Sequence, residues 1–197
     1  ILKENLKPKS TGRSWSGNMK EIEIKILGID PSKIRKKLVQ FGATKVFEGN
    51  LSDTRLDTPD RRFKKRDQLL RVRQLGKRTE LCFKDARENS TLKIQEEIQV
   101  QTDDPAKTLT LLQKLGFSNT RHYTKHRESW KLGKIYFEID SWDDVPPLLE
   151  IEAPSEEEVK AWVKRLGFTM QQTTSMTGRE VEKHYQQQRF PKTSNHG

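Results

Sequence analysis

Three stretches of the chain space their apolar residues three or four positions apart, and all three are framed alike. Asp30-Pro31 opens the first, Ile34, Leu38 and Phe41 lie on one side of it, and Gly42 follows. Asp104-Pro105 opens the second, with Leu109, Leu112 and Leu115 ahead of Gly116. Ser155 opens the third, where Glu158 completes a capping box and Val159, Trp162 and Leu166 precede Gly167. Cap and glycine stand twelve positions apart each time. An acceptor side chain at the start of each, proline at the first helical position of the first two and glycine at the stop of all predict three similar helices of about three turns.

A period of two precedes each helix. Glu21-Ile-Glu23-Ile-Lys25-Ile, Glu97-Ile-Gln99-Val-Gln101 and Leu149-Glu150-Ile-Glu152-Ala alternate apolar and polar residues. Such alternation predicts strands with one greasy and one polar face. Two further pairs of strands read as hairpins: Leu69 to Leu75 with Arg78 to Asp85 around Gly76-Lys77, and Tyr123 to Leu132 with Ile135 to Asp140 around Gly133-Lys134. Glycine at the first turn position suits a type II′ turn, and a two-residue loop fixes the register. In the first hairpin Arg73 then faces Glu80, Arg71 faces Cys82 and Leu69 faces Lys84, while Leu70, Val72, Leu81 and Phe83 share the other side. In the second, Arg127 faces Asp140 and Ser129 faces Glu138, with Lys125 in line; Trp130 meets Phe137 and Leu132 meets Ile135 on the apolar side.

One face of this sheet therefore collects both signs of charge. It carries Glu21, Glu23, Lys25, Arg71, Arg73, Lys84, Glu97, Lys125, Arg127, Glu138, Asp140, Glu150 and Glu152. A solvated face explains any one strand, but Glu and Lys are poor strand formers and a merely wet face has no need of so many. Rolled into a barrel, the sheet would turn these residues into a lumen that must hold water or a charged ligand. A triphosphate with its divalent metal suits it, because Lys and Arg match phosphate oxygens and carboxylates are hard ligands for Mg²⁺ or Mn²⁺.

Composition agrees with a lumen of this kind. The chain has 197 residues, enough for one domain, with 31% hydrophobic and 34% charged residues, so much of its charge must sit on ordered elements. The formal net charge of +10 calls for a polyanionic partner without saying which. Cys82 is the one cysteine, which rules out an intrachain disulfide, and no apolar run approaches the length of a membrane span; the expected place is the cytoplasm, with no membrane partner. Residues 1–18 read as a flexible leader, with Met19 a candidate start, residues 19–185 as the folded domain and residues 186–197 as a flexible tail. His122, His126, His184 and His196 have no zinc-site spacing, and there is neither a Walker loop nor a Gly-x-Ser-x-Gly elbow. The run Arg61-Arg62-Phe63-Lys64-Lys65-Arg66 supports a rival reading, a non-catalytic binder of RNA or polyphosphate, although a solvated loop is the commoner meaning of such a run and nucleic acid is not the expected partner.

Glu21-Ile-Glu23-Ile-Lys25 resembles the Glu-x-Glu-x-Lys signature of CYTH proteins, which include class IV adenylyl cyclases, thiamine triphosphatases and inorganic triphosphatases. The resemblance runs on in order through Asp57-Thr58, Leu70-Arg71-Val72-Arg73, Lys84, Glu96-Glu97, Lys125-His-Arg127, Ile139-Asp140 and Leu149-Glu150-Ile-Glu152, roughly residues 19 to 170. It implies an α+β fold, an antiparallel eight-stranded β-barrel or tunnel with helices packed outside. It further implies that Lys25, Arg71, Arg73, Lys84, Lys125 and Arg127 grip phosphates. Glu21, Glu23, Asp140, Glu150 and Glu152, with Glu97 as a weaker candidate, would hold Mg²⁺ or Mn²⁺. Glu21, Glu23 and Lys25 are then the expected catalytic group. The substrate would be ATP, inorganic triphosphate or thiamine triphosphate. The pattern around Asp140 to Glu152 is most similar to class IV cyclase-like proteins, which convert ATP to cyclic AMP and pyrophosphate; triphosphate hydrolysis is the alternative outcome. Pairing as a homodimer is also implied. The sequence departs from the family pattern at Gln95, where Arg is common, at Gln99, where Glu is common, and at Arg55-Leu56, where an aromatic pair is usual.

Overall fold

The structure, a computed structural model, describes residues 19–85 and 92–189, with side chains from residue 22 onward; the leader assigned to 1–18 and the tail beyond 189 lie outside the described residues. The chain runs β1 (Met19–Leu27), α1 (Pro31–Gln40), β2 (Thr44–Asp57), α2 (Arg62–Lys65), β3 (Leu69–Leu75), β4 (Arg78–Lys84) and β5 (Lys93–Thr102). It continues with α3 (Pro105–Lys114), β6 (Ser118–Leu132), β7 (Ile135–Trp142), β8 (Val145–Ala153), α4 (Glu156–Arg165), β9 (Thr173–Thr174) and α5 (Gly178–Arg189).

The three framed helices are α1, α3 and α4. Asp30 accepts from the Ser32 and Lys33 amides, Asp104 from the Lys107 amide and Ser155 from the Glu158 amide, so each caps donors that the first turn leaves free. Each ends in the same two bonds, such as Gly42 N to Val39 O and Ala43 N to Leu38 O at the end of α1. Gly42 sits at φ +80°, a left-handed conformation that a Cβ would oppose. Both hairpins take the expected register, Leu69 with Lys84 and Arg73 with Glu80 in one, Arg127 with Asp140 and Leu132 with Ile135 in the other.

Strand order is β5-β4-β3-β2-β6-β7-β8-β1, and β1 also pairs with β5, so eight antiparallel strands close on themselves. β9 adds two residues against Lys25 and Ile26. Closure turns one face of every strand inward. The apolar faces turn outward and form the core beneath the helices: Phe137, Ile151 and Ile24 under Trp162 and Leu38, and Leu70 and Val72 under Leu112. Phe137 and Trp162 meet edge to face with ring centroids 5.1 Å apart.

Several elements differ from the sequence reading. β2 carries fourteen residues that local alternation does not announce, and β6 begins at Ser118 rather than Tyr123. The two strands pair along their whole length, so each is supported by a partner far away in sequence. α5 runs to Arg189, past the boundary at 185, and buries only Val181 against Val145 and Leu148. No helix among the described residues is long and apolar enough to cross a membrane.

Candidate functional site

Inside the barrel lies a cavity of about 760 Å³ whose lining includes Glu23, Lys25, Arg71, Arg73, Lys84, Lys125, Arg127, Asp140 and Glu150. Strand alternation alone puts them there, since cross-strand partners share a face. Glu97 and Glu152 are also inward-facing, as their pairing with Lys84 and Glu23 requires, but they do not line the cavity itself. Glu21 is on β1 opposite Gln95; its side chain lies outside the described residues.

The interior is a set of short ion pairs. Lys25 Nζ stands 2.6 Å from Glu23 Oε1 and 2.7 Å from Glu150 Oε2, and Lys93 Nζ is 2.7 Å from the same Glu23 oxygen. Asp140 takes Lys125 at 2.5 Å and two nitrogens of Arg127 at 2.6 and 2.7 Å. Asp53 on β2 accepts two bonds from Arg73, at 3.0 and 2.8 Å. Glu97 is held by Lys84 at 2.9 Å and by the Cys82 thiol.

Four of these carboxylates, Glu23, Glu150, Asp140 and Asp53, stay ionised although buried. Burial pushes Glu23 up, as does the charge of Glu150, yet Lys25, Lys93 and Lys84 hold it well below the usual carboxylate range. Burial raises Glu150 and Asp140 too, and the cations around them, Lys25 and Arg127 for the first and Arg127 and Lys125 for the second, bring both down. For Asp53 burial is outweighed by Arg73, Arg71 and Arg55, and its carboxyl falls to about 2. A carboxyl depressed on folding stabilises the native state above its unfolded value, and that contribution is lost as pH falls through the native one. Stability is therefore expected to be flat down to about pH 5 and to fall progressively from there toward about pH 2. Urea unfolding monitored by circular dichroism across that range checks it; a midpoint independent of pH down to about 2 would contradict the assignment.

The open end of the cavity is basic. Asp57, buried at the end of β2, accepts from the Phe63 and Lys64 amides and so anchors the short helix α2, which turns the run 61–66 into part of the rim, with Arg61 and Lys64 in the lining. Arg61 adopts φ +60°, uncommon for a residue with a Cβ. Arg179 and Lys183 of α5 line the opposite side of the rim, and Arg121 of β6 is ion-paired to Glu182. The Tyr123 ring has the Arg121 guanidinium 4.9 Å and the Arg55 guanidinium 5.6 Å from its centre. Beyond Arg73 and Arg127 lies a second cavity of about 30 Å³, lined also by Ser129 and Glu138.

Sequence reasoning missed Lys93, Asp53, Arg55 and Tyr123. Lys93 was within reach, because continuing the alternation backwards from Glu97 places 97, 95 and 93 on one face. Asp53, Arg55 and Tyr123 depend on the β2–β6 pairing, which no local signal announces.

For a hard divalent cation the donor chemistry is right: Glu23 and Glu150 are anionic, face the cavity and both reach Lys25. Among the described residues no three His, Cys, Asp or Glu side chains converge as a metal site, so these two supply the fit, with Glu21 beside them on β1.

The CYTH domain family model matches residues 19–186. A protein of Methanocaldococcus jannaschii named "Putative adenylate cyclase" is 29% identical over 134 residues, 68% of this chain and 77% of its own. A structure from Vibrio parahaemolyticus, likewise named a "putative adenylate cyclase", superposes with a TM-score of 0.74 at 14% identity over 84% of this chain and 98% of that one. One from Hippeastrum, a "putative adenylyl cyclase" described as having a dominant triphosphatase activity, gives 0.60 at 15% identity over 84% and 95%. At such identities the superpositions speak to fold.

Proposed function

Because the chain belongs to the CYTH domain family, we propose that it is a metal-assisted enzyme that holds a triphosphate group in the barrel and cleaves it. The observation that carries this reading is the lumen itself, in which buried guanidinium and ammonium groups alternate with carboxylates kept ionised. Phosphoryl chemistry asks for little beyond positioning and charge stabilisation, and fixed cations in a site largely shut off from water supply both.

Arg127 and Lys125 would orient and neutralise phosphate oxygens from one wall, and Arg71, Arg73 and Lys84 from the other. Ion pairs keep Arg127, Lys125, Arg73 and Lys84 in place before a ligand arrives, and the guanidiniums of Arg127 and Arg73 retain further donors after binding a carboxylate. Glu23 and Glu150 would hold Mg²⁺ or Mn²⁺, joined by Glu21, Glu152 and Asp140 from neighbouring positions. A divalent ion held there would supply Lewis-acid stabilisation of the charge that builds on the leaving group. Lys25, between Glu23 and Glu150, positions both carboxylates and contributes a further cation to the phosphates.

Two outcomes share this arrangement. Attack by water yields a triphosphatase, the direction suggested by the description of the Hippeastrum protein. Attack by the ribose 3′-hydroxyl of ATP yields cyclic AMP and pyrophosphate, the direction suggested by the name of the Methanocaldococcus relative. Incubating the protein with ATP, inorganic triphosphate and thiamine triphosphate, each with Mg²⁺, Mn²⁺ or a chelator, and identifying products by mass separates them. Metal-dependent turnover of at least one is expected; no turnover of any would sink the enzyme reading.

A further inference from the structure

Most cations of the lumen already have a carboxylate at hydrogen-bond distance, and one neighbouring pair does not. Arg55 of β2 and Arg71 of β3 are directly cross-strand, both line the cavity, and the Nε of each is buried without a hydrogen-bond partner. Arg71 is 7% exposed. Its nearest carboxylate oxygens are at 3.7 Å on Asp53 and 3.6 Å on Glu97, beyond a hydrogen bond, because Asp53 is bound to Arg73 and Glu97 to Lys84 and Cys82. Arg55 makes no ion pair among the described residues and rests on the Tyr123 ring. Like charges directly opposite on a sheet are destabilising, so this pairing is a standing cost unless an anion with several oxygens sits between the two guanidiniums.

Their place along the barrel says which anion. Arg73 and Arg127 form the floor, since they alone of the cavity's cations also reach the second cavity, whose 30 Å³ has room for about one water and none for a nucleoside or a thiamine. Arg55 and Arg71 lie on the other side of that floor, toward the open rim with Arg61. Any esterified triphosphate must therefore leave its organic group at the rim, where this pair calls for phosphate oxygens.

We propose that Arg55 and Arg71 form a clamp for an unesterified terminal phosphate, so that inorganic triphosphate is preferred over nucleoside and thiamine triphosphates, with Arg55 the residue that sets the preference. This rests on the reading that the cavity takes triphosphates. The test measures calorimetric binding of inorganic triphosphate and of ATP, and the melting temperature without ligand, for wild type, Arg55→Gln and Arg55→Lys. Wild type binds inorganic triphosphate more tightly than ATP. Arg55→Gln weakens inorganic triphosphate by at least about tenfold and ATP by less than about threefold, while its ligand-free melting temperature stays the same or rises as the repulsion is relieved. Arg55→Lys, which keeps charge and loses the planar fork, falls between. Equal weakening of both ligands, no weakening, or tighter ATP binding by wild type overturns the clamp while leaving the triphosphate site intact; wild type binding neither ligand overturns the underlying reading as well.

Discussion

Glu23→Gln is expected to lower turnover of whichever triphosphate the protein cleaves by about 10²–10³-fold, with the barrel still folded. Glu23 is almost wholly buried, faces the cavity and is kept ionised by Lys25, Lys93 and Lys84, so it is the carboxylate best placed to offer anionic oxygen to a metal at neutral pH. Glutamine keeps the shape and one acceptor oxygen for Lys25 and Lys93, while it removes the charge and replaces the other oxygen by an amide nitrogen. The backbone pairing of β1 with β8 and β5 does not involve this side chain, which is why the fold should persist. Steady-state kinetics across Mg²⁺ and Mn²⁺ concentrations, with circular dichroism alongside, gives the result. Undiminished turnover in a folded variant would remove Glu23 from the machinery.

Arg127→Leu acts on the fold itself. Its guanidinium bonds Asp140 twice and lies 3.5 Å from Glu138 and 3.8 Å from Glu150, so one deletion deprives three buried carboxylates of a shared cation. Breaking a buried pair from one side typically costs about 3–5 kcal/mol, because the remaining charge is desolvated and unmatched. Lys125 stays on Asp140 and Lys25 on Glu150, which places the expected loss toward the lower end of that range. The sign with pH follows from the same arrangement. Without Arg127 the carboxyls of Asp140 and Glu150 rise toward or above their ordinary values, so protonation relieves the variant before it harms the wild type, and the gap between them should narrow as pH falls toward about 4. Chemical denaturation at pH 7 and at pH 4.5 measures it; a loss under about 1 kcal/mol at pH 7 would show that the guanidinium matters little to the fold.

The sequence was legible where the determinants are local. Asp30, Asp104 and Ser155 each carry an acceptor at the right offset from a glycine stop, and the bonds they make are the ones that spacing predicts. Gly76 and Gly133 mark two-residue turns, and from them the partners of Arg71, Arg73 and Arg127 follow by counting. What could not be read depends on strands that meet across long stretches of chain. β2 finds its partners in β3 and β6, so the inward position of Asp53 and Arg55 is a property of those pairings rather than of the neighbours Leu51 to Asp57. α5 escaped for another reason: it is polar nearly all round, and one valine is too little apolar surface to leave a periodic signature.

The seam of the barrel also governs how the chain can reach this state. β1 is joined on one side to β5 and on the other to β8, so Ile24 has no lasting partner until Ile151 has been made. Until then both ends of the growing sheet are open edges, able to pair with other chains as readily as with each other. Such non-local pairing must overcome a large loop-closure entropy before it is rewarded, which makes closure a late and slow event in folding. Lys25, whose strand forms the seam, meets Glu150 only at that last step, so the anion-holding lumen and the finished ring come into being together.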